Sequence, residues 1–269
     1  MGARETTAFL LLPVILAGIV WLPPWVYLSA VGVVALLAAW ELVALLRAKG
    51  FPVMLLPTLL ATGLGLVVVW RQQLPLVLGF FALAVLGLPL VYLLGRGPVE
   101  GASGAMAGAV FVTCYFVTTA GAMGLLRLLF DDPLGWKVVL LHCLTIWGGD
   151  SGAYYVGVRW GKHKLAPRVS PKKSWEGIAG GTAVTFFGVW FCRTVFFPEL
   201  PWPLAWAEAA MLSLLAPLGD LVESLFKRDA GVKDSSGLIP GHGGFLDRTD
   251  SLFFAAPATA ALLLFGLPR

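Results

Sequence analysis

The residues best suited to chemistry lie in one polar stretch, from Gly219 to Asp250. The whole chain is 58% hydrophobic and only 13% charged, so this concentration of charged side chains is unusual within it. A charge in or beside a lipid bilayer has a large desolvation cost, and such residues are rare unless function requires them. Carboxylates, cations, glycines and a histidine together indicate metal-assisted chemistry on phosphates.

Two predicted helix ends in this stretch offer pairs of carboxylates. Asp220 and Glu223 are three residues apart, as are Asp247 and Asp250, so each pair shares one face of its helix. Magnesium ions in proteins usually bind one or two carboxylates together with substrate phosphates and water. The two pairs are therefore candidate ligands for Mg²⁺, and the number of acids leaves room for a second cation.

The loop between these pairs contains the sequence Pro240-Gly241-His242-Gly243-Gly244. Glycines allow backbone N–H groups to approach phosphate oxygens closely. His242 lies between glycines, a position that favours a phosphate ligand over a general base. The alternative is a salt-bridged surface loop, which would explain the charges but not the glycine–histidine core.

Two further polar segments precede this stretch. Asp150 lies within an apolar span, where an isolated carboxylate must be paired or neutralised; a structural ion pair is the alternative to function. The basic segment 161–177 ends in Lys172, Lys173 and Ser174. Ser174 has the chemistry of a helix N-cap, and a helix N-terminus beside two lysines is a ready anion site. The alternative for this segment is an ordinary cytoplasmic loop that sets membrane orientation.

The elements that must position these residues are membrane spans. The mean hydropathy is +0.85, and about 20 apolar helical residues cross a bilayer. We predict an all-α integral membrane protein, a polytopic bundle of about nine transmembrane helices. The predicted spans are 8–22, 25–46, 53–70, 74–94, 103–126, 136–158, 175–197, 204–226 and 249–267. We predict a single membrane domain over 1–269, with a structural or dimer role for 1–135 and catalytic spans and loops in 136–269.

Lysine and arginine are distributed unevenly across these spans. With the N-terminus in the cytoplasm, most of the 19 Lys and Arg residues fall on that side, as the positive-inside rule requires. The polar loops 159–174 and 227–248 share this face. The net charge of +4 therefore follows the membrane and does not indicate a nucleic-acid partner. Glycine-rich segments near Gly104–Gly108 and Gly177–Gly181 could support helix contacts or a homodimer.

Several motifs together resemble one known family. The motifs are Ser224-Leu225-Phe226-Lys227-Arg228, Lys233-Asp234 and the run from Pro240 to Asp250, with Asp150 to Tyr154 and Ser170 to Gly177 upstream. They resemble the signature of phosphatidate cytidylyltransferases, also called CDP-diacylglycerol synthases. The resemblance is specific from about Gly148 to Asp250, whereas the first half matches only as a run of spans.

The resemblance implies a reaction in which CTP and phosphatidic acid give CDP-diacylglycerol and pyrophosphate, with Mg²⁺ as cofactor. It implies a bacterial-type cytoplasmic (inner) membrane location with a cytoplasmic active site. The implied metal ligands are Asp220 and Asp247, with Glu223 and Asp250 as further candidates. The implied catalytic residues are Asp220, Lys227, Arg228, Asp247 and Asp250. The implied substrate-binding residues are Asp150, Lys172, Lys173, Ser174, Ser224, Lys233, Asp234, His242, Gly243, Gly244 and Arg248.

Three other functions are compatible with parts of the sequence. A CTP-dependent lipid-alcohol kinase would also use CTP at a membrane face, but would release CDP. A CDP-alcohol phosphotransferase is disfavoured, because the Asp-Gly-x-x-Ala-Arg opening of that family does not occur in this sequence. A cation or proton transporter could use Asp150, Asp220 and Asp250 as membrane acids, but it predicts internal repeats and acids spread through the spans.

Overall fold

The structure, a computed structural model, describes residues 13–95, 97–239, 241 and 243–267. Within these residues the chain forms nine helices and one small sheet. The helices are residues 13–21 (α1), Pro24–Ala48 (α2), Leu55–Trp70 (α3), Leu74–Leu94 (α4), Ala102–Leu128 (α5), Leu134–Trp160 (α6), Trp175–Val195 (α7), Trp202–Asp229 (α8) and Leu246–Gly266 (α9). The strands are Lys164–Ala166 (β1) and Ser170–Ser174 (β2).

The predicted all-α membrane architecture is confirmed. Six of the described helices, namely α2, α4, α5, α7, α8 and α9, are long and apolar enough to cross a membrane. Helix α3 is apolar but has 16 residues, and α6 has 27 residues but carries several polar side chains. The predicted span 8–22 lies partly outside the described residues, and its described part is helical over 13–21. The chain is an integral membrane protein built as a polytopic helical bundle.

Local sequence explains where several helices begin. A proline occupies one of the first two positions of α2, α4 and α8, where its missing N–H removes no helical hydrogen bond. Helix α7 has Ser174 as its N-cap, and the Oγ of this residue accepts a hydrogen bond of 3.1 Å from the Gly177 backbone N–H. This confirms the predicted cap. Ser174 is only 3% exposed, and its predicted contact with substrate stays a prediction.

Helix α5 lies at the centre of the bundle and packs against α2, α3, α4, α6 and α9. The ends of α2 and α8 meet at one side of the bundle, where Lys49 Nζ lies 2.8 Å from Asp229 Oδ1. The β1–β2 hairpin and the start of α9 lie on this same side, which we call the polar face. The hairpin pairs Lys164 with Ser174 and Ala166 with Ser170 in antiparallel register, within a segment predicted to be a loop.

Helices α6 and α7 pack closely through glycines. A Cβ atom at Gly181 would lie 2.9 Å from the carbonyl oxygen of Gly149 and 3.0 Å from Cβ of Ala153. Glycines at positions 104 and 108 likewise face Phe51 and Val53. Both glycine-rich segments are therefore explained by contacts within the chain. They no longer support a homodimer, whose existence stays a prediction.

Replacing Gly181 with Val is expected to lower the thermal midpoint of the purified protein. The new side chain would meet backbone atoms of α6 that cannot move aside, and overpacking of this kind costs about 1–3 kcal/mol. The measurement is the thermal midpoint in detergent. Gly87→Val on α4 is the matched control, because nothing in the described residues lies within 4 Å of a Cβ there. Equal midpoints for the two variants would contradict this account of the α6–α7 contact.

Candidate active site

Three carboxylates converge where α8 and α9 meet near the polar face. Asp220 and Glu223 of α8 and Asp250 of α9 each offer an oxygen, and these oxygens all lie within 4.8 Å of one another. We call these residues the three-acid group. Gly219 allows the approach, since a Cβ atom there would lie 2.8 Å from the Asp250 carbonyl oxygen and 2.7 Å from Cβ of Phe254. The sequence predicts that Asp220 and Glu223 share one face of α8, and in the structure Asp250 of α9 lies against that face.

A buried lysine neighbours the three-acid group. Lys227 Nζ lies 2.6 Å from Glu223 Oε2 and 2.5 Å from Asp247 Oδ1, so one ammonium bridges two carboxylates. The Glu223 Oε2 contact is an ion pair without hydrogen-bond geometry, and Glu223 Oε1 is buried with no hydrogen-bond partner among the described residues. Buried carboxylate oxygens are normally paired. The free oxygen of Glu223 therefore fits a site that holds a cation.

Asp247 faces the loop between α8 and α9. Its Oδ2 accepts hydrogen bonds from Ser235 N at 2.9 Å, Ser235 Oγ at 2.7 Å and Gly244 N at 2.8 Å. Since Oδ1 is paired with Lys227, both oxygens are occupied and the ammonium separates Asp247 from the three-acid group. The geometry thus favours Asp250 over Asp247 as the third acid. The predicted metal role of Asp247 stays a prediction.

Gly243 and Gly244 are required by the backbone conformation and close packing of the loop itself. Gly243 has φ +81°, which favours glycine, and a Cβ atom there would lie 2.6 Å from Asp247 Oδ2. At Gly244 a Cβ atom would collide with the carboxylate of Glu41 and with Ser235 Oγ. These contacts account for both glycines without a ligand, and their predicted approach to phosphate stays a prediction. His242, predicted to bind substrate, lies outside the described residues.

The β1–β2 hairpin brings cations to the same region. Lys173 Nζ lies 2.8 Å from Asp220 Oδ2 and donates to the Pro217 carbonyl at 3.1 Å. Arg228 donates to the carbonyl of Val169 at 3.3 Å, which joins the hairpin to the end of α8. Lys172 is exposed beside them. The two basic segments predicted to share one face are therefore adjacent.

The remaining predicted residues lie on α6, α8, α9 and the α8–α9 loop. Ser224 is buried and donates to Asp220 Oδ1 at 3.2 Å, so it orients an acid; its predicted contact with substrate stays a prediction. Asp150 is exposed on α6 and borders a small cleft between α6, α7 and α8. Three further predicted residues, all exposed on the loop or on the first turn of α9, are Lys233, Asp234 and Arg248.

One residue of the site is missing from the sequence-based prediction. Glu41 of α2 is 0% exposed and accepts hydrogen bonds from the α8–α9 loop. It is the single acid in a 25-residue apolar helix. An intramembrane carboxylate is a functional candidate by default, so the single acid in this apolar segment could have been identified from the sequence. Its contact also shows that the N-terminal spans reach the site, although the predicted division of roles between 1–135 and 136–269 stays a prediction.

Comparison with known proteins identifies the family. Residues 2–265 match the model of a family described as the Cytidylyltransferase family. A phosphatidate cytidylyltransferase of Pseudomonas aeruginosa is 37% identical over 264 residues, which cover 97% of this chain and 96% of that protein. Its counterpart in Haemophilus influenzae is 32% identical over 290 residues, covering 98% and 99% of the two chains. These matches span nearly the whole sequence, and the chain belongs to the cytidylyltransferase family.

Proposed function

We propose that this protein transfers the cytidylyl group of CTP to phosphatidic acid, giving CDP-diacylglycerol and pyrophosphate with the help of Mg²⁺. The three-acid group beside lysines at the polar face of a membrane bundle is the observation that carries the proposal. The names of the full-length relatives support the same substrates. A transporter is disfavoured because the chain belongs to an enzyme family and because the acids cluster near one face.

Asp220, Glu223 and Asp250 are the residues we expect to hold Mg²⁺. Hard oxygen donors suit this ion, and the buried Glu223 Oε1 without a partner among the described residues fits such a role. When bound, Mg²⁺ neutralises negative charge on the reacting phosphates. Lys227 offsets one of the two charges of Glu223 and Asp247, and Lys173 offsets that of Asp220. With Asp250, two negative charges remain, which equals the charge of one Mg²⁺; a second cation stays a prediction.

The exposed cations are expected to bind the substrates. CTP and phosphatidic acid are both polyanionic, and their mutual repulsion must be offset before they can react. Lys172, Lys233 and Arg248 are exposed around the three-acid group and can supply that positive field. A phosphate oxygen of phosphatidic acid attacks the α-phosphorus of CTP, and the bond from that phosphorus to the bridging oxygen of pyrophosphate breaks. The attacking phosphate is largely ionised at neutral pH, so no strong general base is needed.

We place this reaction at the cytoplasmic face. Most lysines and arginines lie on the side of the hairpin and the α8–α9 loop, and positive charge is enriched on the cytoplasmic side of membrane proteins. CTP would then arrive from the cytosol, while the acyl chains of phosphatidic acid stay in the bilayer. In a bacterium this corresponds to the cytoplasmic membrane.

The test is an assay of the purified protein with radiolabelled CTP, phosphatidic acid and Mg²⁺. We expect label in a lipid product with the mobility of CDP-diacylglycerol, and one pyrophosphate released per lipid. A lipid-alcohol kinase would instead need a lipid alcohol and release CDP. Release of CDP without labelled lipid, or no reaction with phosphatidic acid, would overturn the proposal.

Replacing Lys172 with Ala is expected to raise the KM for at least one substrate by about tenfold, since a hydrogen bond from a charged donor contributes about 1.5–3 kcal/mol. The measurement is the rate as a function of each substrate concentration. Lys164→Ala in β1 is the matched control, because it removes an exposed lysine from the same hairpin. Unchanged KM and kcat in Lys172→Ala would contradict substrate binding and favour the alternative, in which this lysine only helps to set the membrane orientation.

A further inference from the structure

We infer that Glu41 is a positioning residue for the reaction, acting through the α8–α9 loop and the first turn of α9. This inference rests on the proposed function for its activity readout, but its structural claim can be tested separately. Glu41 lies in the N-terminal half of the chain, far in sequence from the loop that it contacts. Its carboxylate is completely buried.

Four donors converge on this carboxylate. Ser235 Oγ lies 3.0 Å from Oε2, and Ser236 Oγ donates to Oε1 at 2.6 Å. The backbone N–H groups of Phe245 and Leu246 donate at 3.1 and 2.7 Å. Burying a carboxylate costs much less when its oxygens are hydrogen-bonded, and bonds to a charged acceptor are stronger than neutral ones. Glu41 therefore has the partners that a buried negative charge requires, and all of them belong to one short segment.

The N–H contacts make Glu41 the cap of α9. The first N–H groups of any helix lack partners within it, and the N-cap residue Phe245 has no side-chain cap of its own in the described structure. A carboxylate at this end also interacts favourably with the helix dipole. Glu41 of α2 thus caps the N-terminus of α9, a role that a Ser or Asp at the N-cap position usually has. Because Asp250 lies one turn after Leu246, the same contact fixes the helix end that carries this acid.

Ser235 connects Glu41 to the rest of the site. Its hydroxyl lies between Glu41 Oε2 at 3.0 Å and Asp247 Oδ2 at 2.7 Å, and its single proton serves one of them at a time. Asp247 in turn holds Lys227, which pairs with Glu223. A continuous chain of polar contacts therefore runs from α2 to the three-acid group. Loss of the charge at position 41 should loosen the loop and α9 together.

The experiment compares Glu41→Gln with wild type in the full-length purified protein. Glutamine keeps the shape but replaces one acceptor oxygen by an NH₂ group that faces donors. We expect kcat per folded molecule to fall about 10- to 100-fold, while the thermal unfolding transition stays cooperative. Glu208→Gln is the matched control: Glu208 is also 0% exposed and accepts from Thr259 at 2.8 Å, but lies about 18 Å along α8 from Asp220. Turnover of Glu41→Gln within about threefold of both wild type and the control would overturn the inference.

A second readout does not depend on activity. Amide hydrogen exchange at Phe245 and Leu246 should be faster in Glu41→Gln than in wild type, because both N–H groups donate to Glu41. Unchanged exchange there would overturn the capping claim. If the wild type forms no CDP-diacylglycerol, the proposed function fails, and exchange still decides the role of Glu41.

Ser236→Ala keeps the inference falsifiable if Glu41→Gln does not fold. This variant removes one donor to Glu41 and leaves the buried charge with its other partners. We expect kcat to fall about three- to tenfold, and the double variant to fall no further than Glu41→Gln alone, as for residues acting through one contact. Unchanged kcat in Ser236→Ala, or fully additive losses in the double variant, would contradict a role through the loop.

Discussion

Replacing Asp247 with Ala is expected to nearly abolish CDP-diacylglycerol formation. The side chain accepts three hydrogen bonds from the α8–α9 loop and pairs with the buried Lys227. Removing one partner of a buried ion pair costs up to about 3–5 kcal/mol. Lys227 keeps its ion pair with Glu223 but loses the carboxylate to which it donates a hydrogen bond, and the loop loses its anchor at the same time. If this loss falls on the transition state, turnover drops by a factor of about 10² to 10³ or more.

The matched control for this variant is Asp229→Ala. Asp229 lies at the end of α8, the helix that carries Lys227, and its pair with Lys49 is exposed, so its loss should change activity little. The measurement is initial rate per folded molecule, with folding checked by size-exclusion chromatography and thermal unfolding. Turnover of Asp247→Ala within about tenfold of wild type would contradict the importance of the Lys227 pair.

Asp247→Asn separates the two roles that this residue has been given. If Asp247 only anchors the loop and Lys227, the substitution lowers kcat and leaves the Mg²⁺ concentration for half-maximal activity unchanged. If Asp247 is a metal ligand, as the family resemblance implies, that concentration rises. The Mg²⁺ titration of Asp247→Asn therefore tests whether Asp247 is a metal ligand, an assignment that the geometry does not favour.

The membrane spans were predictable because the bilayer dictates their length and the helix satisfies their backbone. The predicted span 74–94 coincides with α4, and the span 136–158 lies within α6, Leu134–Trp160. The β1–β2 hairpin was not predictable in this way. Its strands have three and five residues, too few for an alternating pattern to be read in a polar, proline-containing segment.

Within the site, local spacing predicted which carboxylates share a face of one helix, but not which carboxylates from different helices meet. Helical periodicity places Asp220 and Glu223 on one face, and the structure agrees. Whether Asp247 or Asp250 joins them depends on how α9 crosses α8, which the contact at Gly219 decides. Glu41 illustrates the same limit, since its partners lie about 200 positions away and its charge alone, not its spacing, marked it as unusual.

Asp250→Asn is expected to raise the Mg²⁺ concentration for half-maximal activity at least about tenfold and to lower kcat about 100-fold. Asn keeps the volume and one oxygen of the side chain but removes a negative charge from the three-acid group, whose oxygens lie within 4.8 Å of one another. The measurement is initial rate as a function of Mg²⁺ at saturating substrates. Asp229→Asn removes one charge from the same face without touching the group, and should leave the titration unchanged. An unaltered Mg²⁺ dependence in Asp250→Asn would remove this residue from the proposed metal site and reopen Asp247 as its third acid, since these two carboxylates are the ones that α9 contributes.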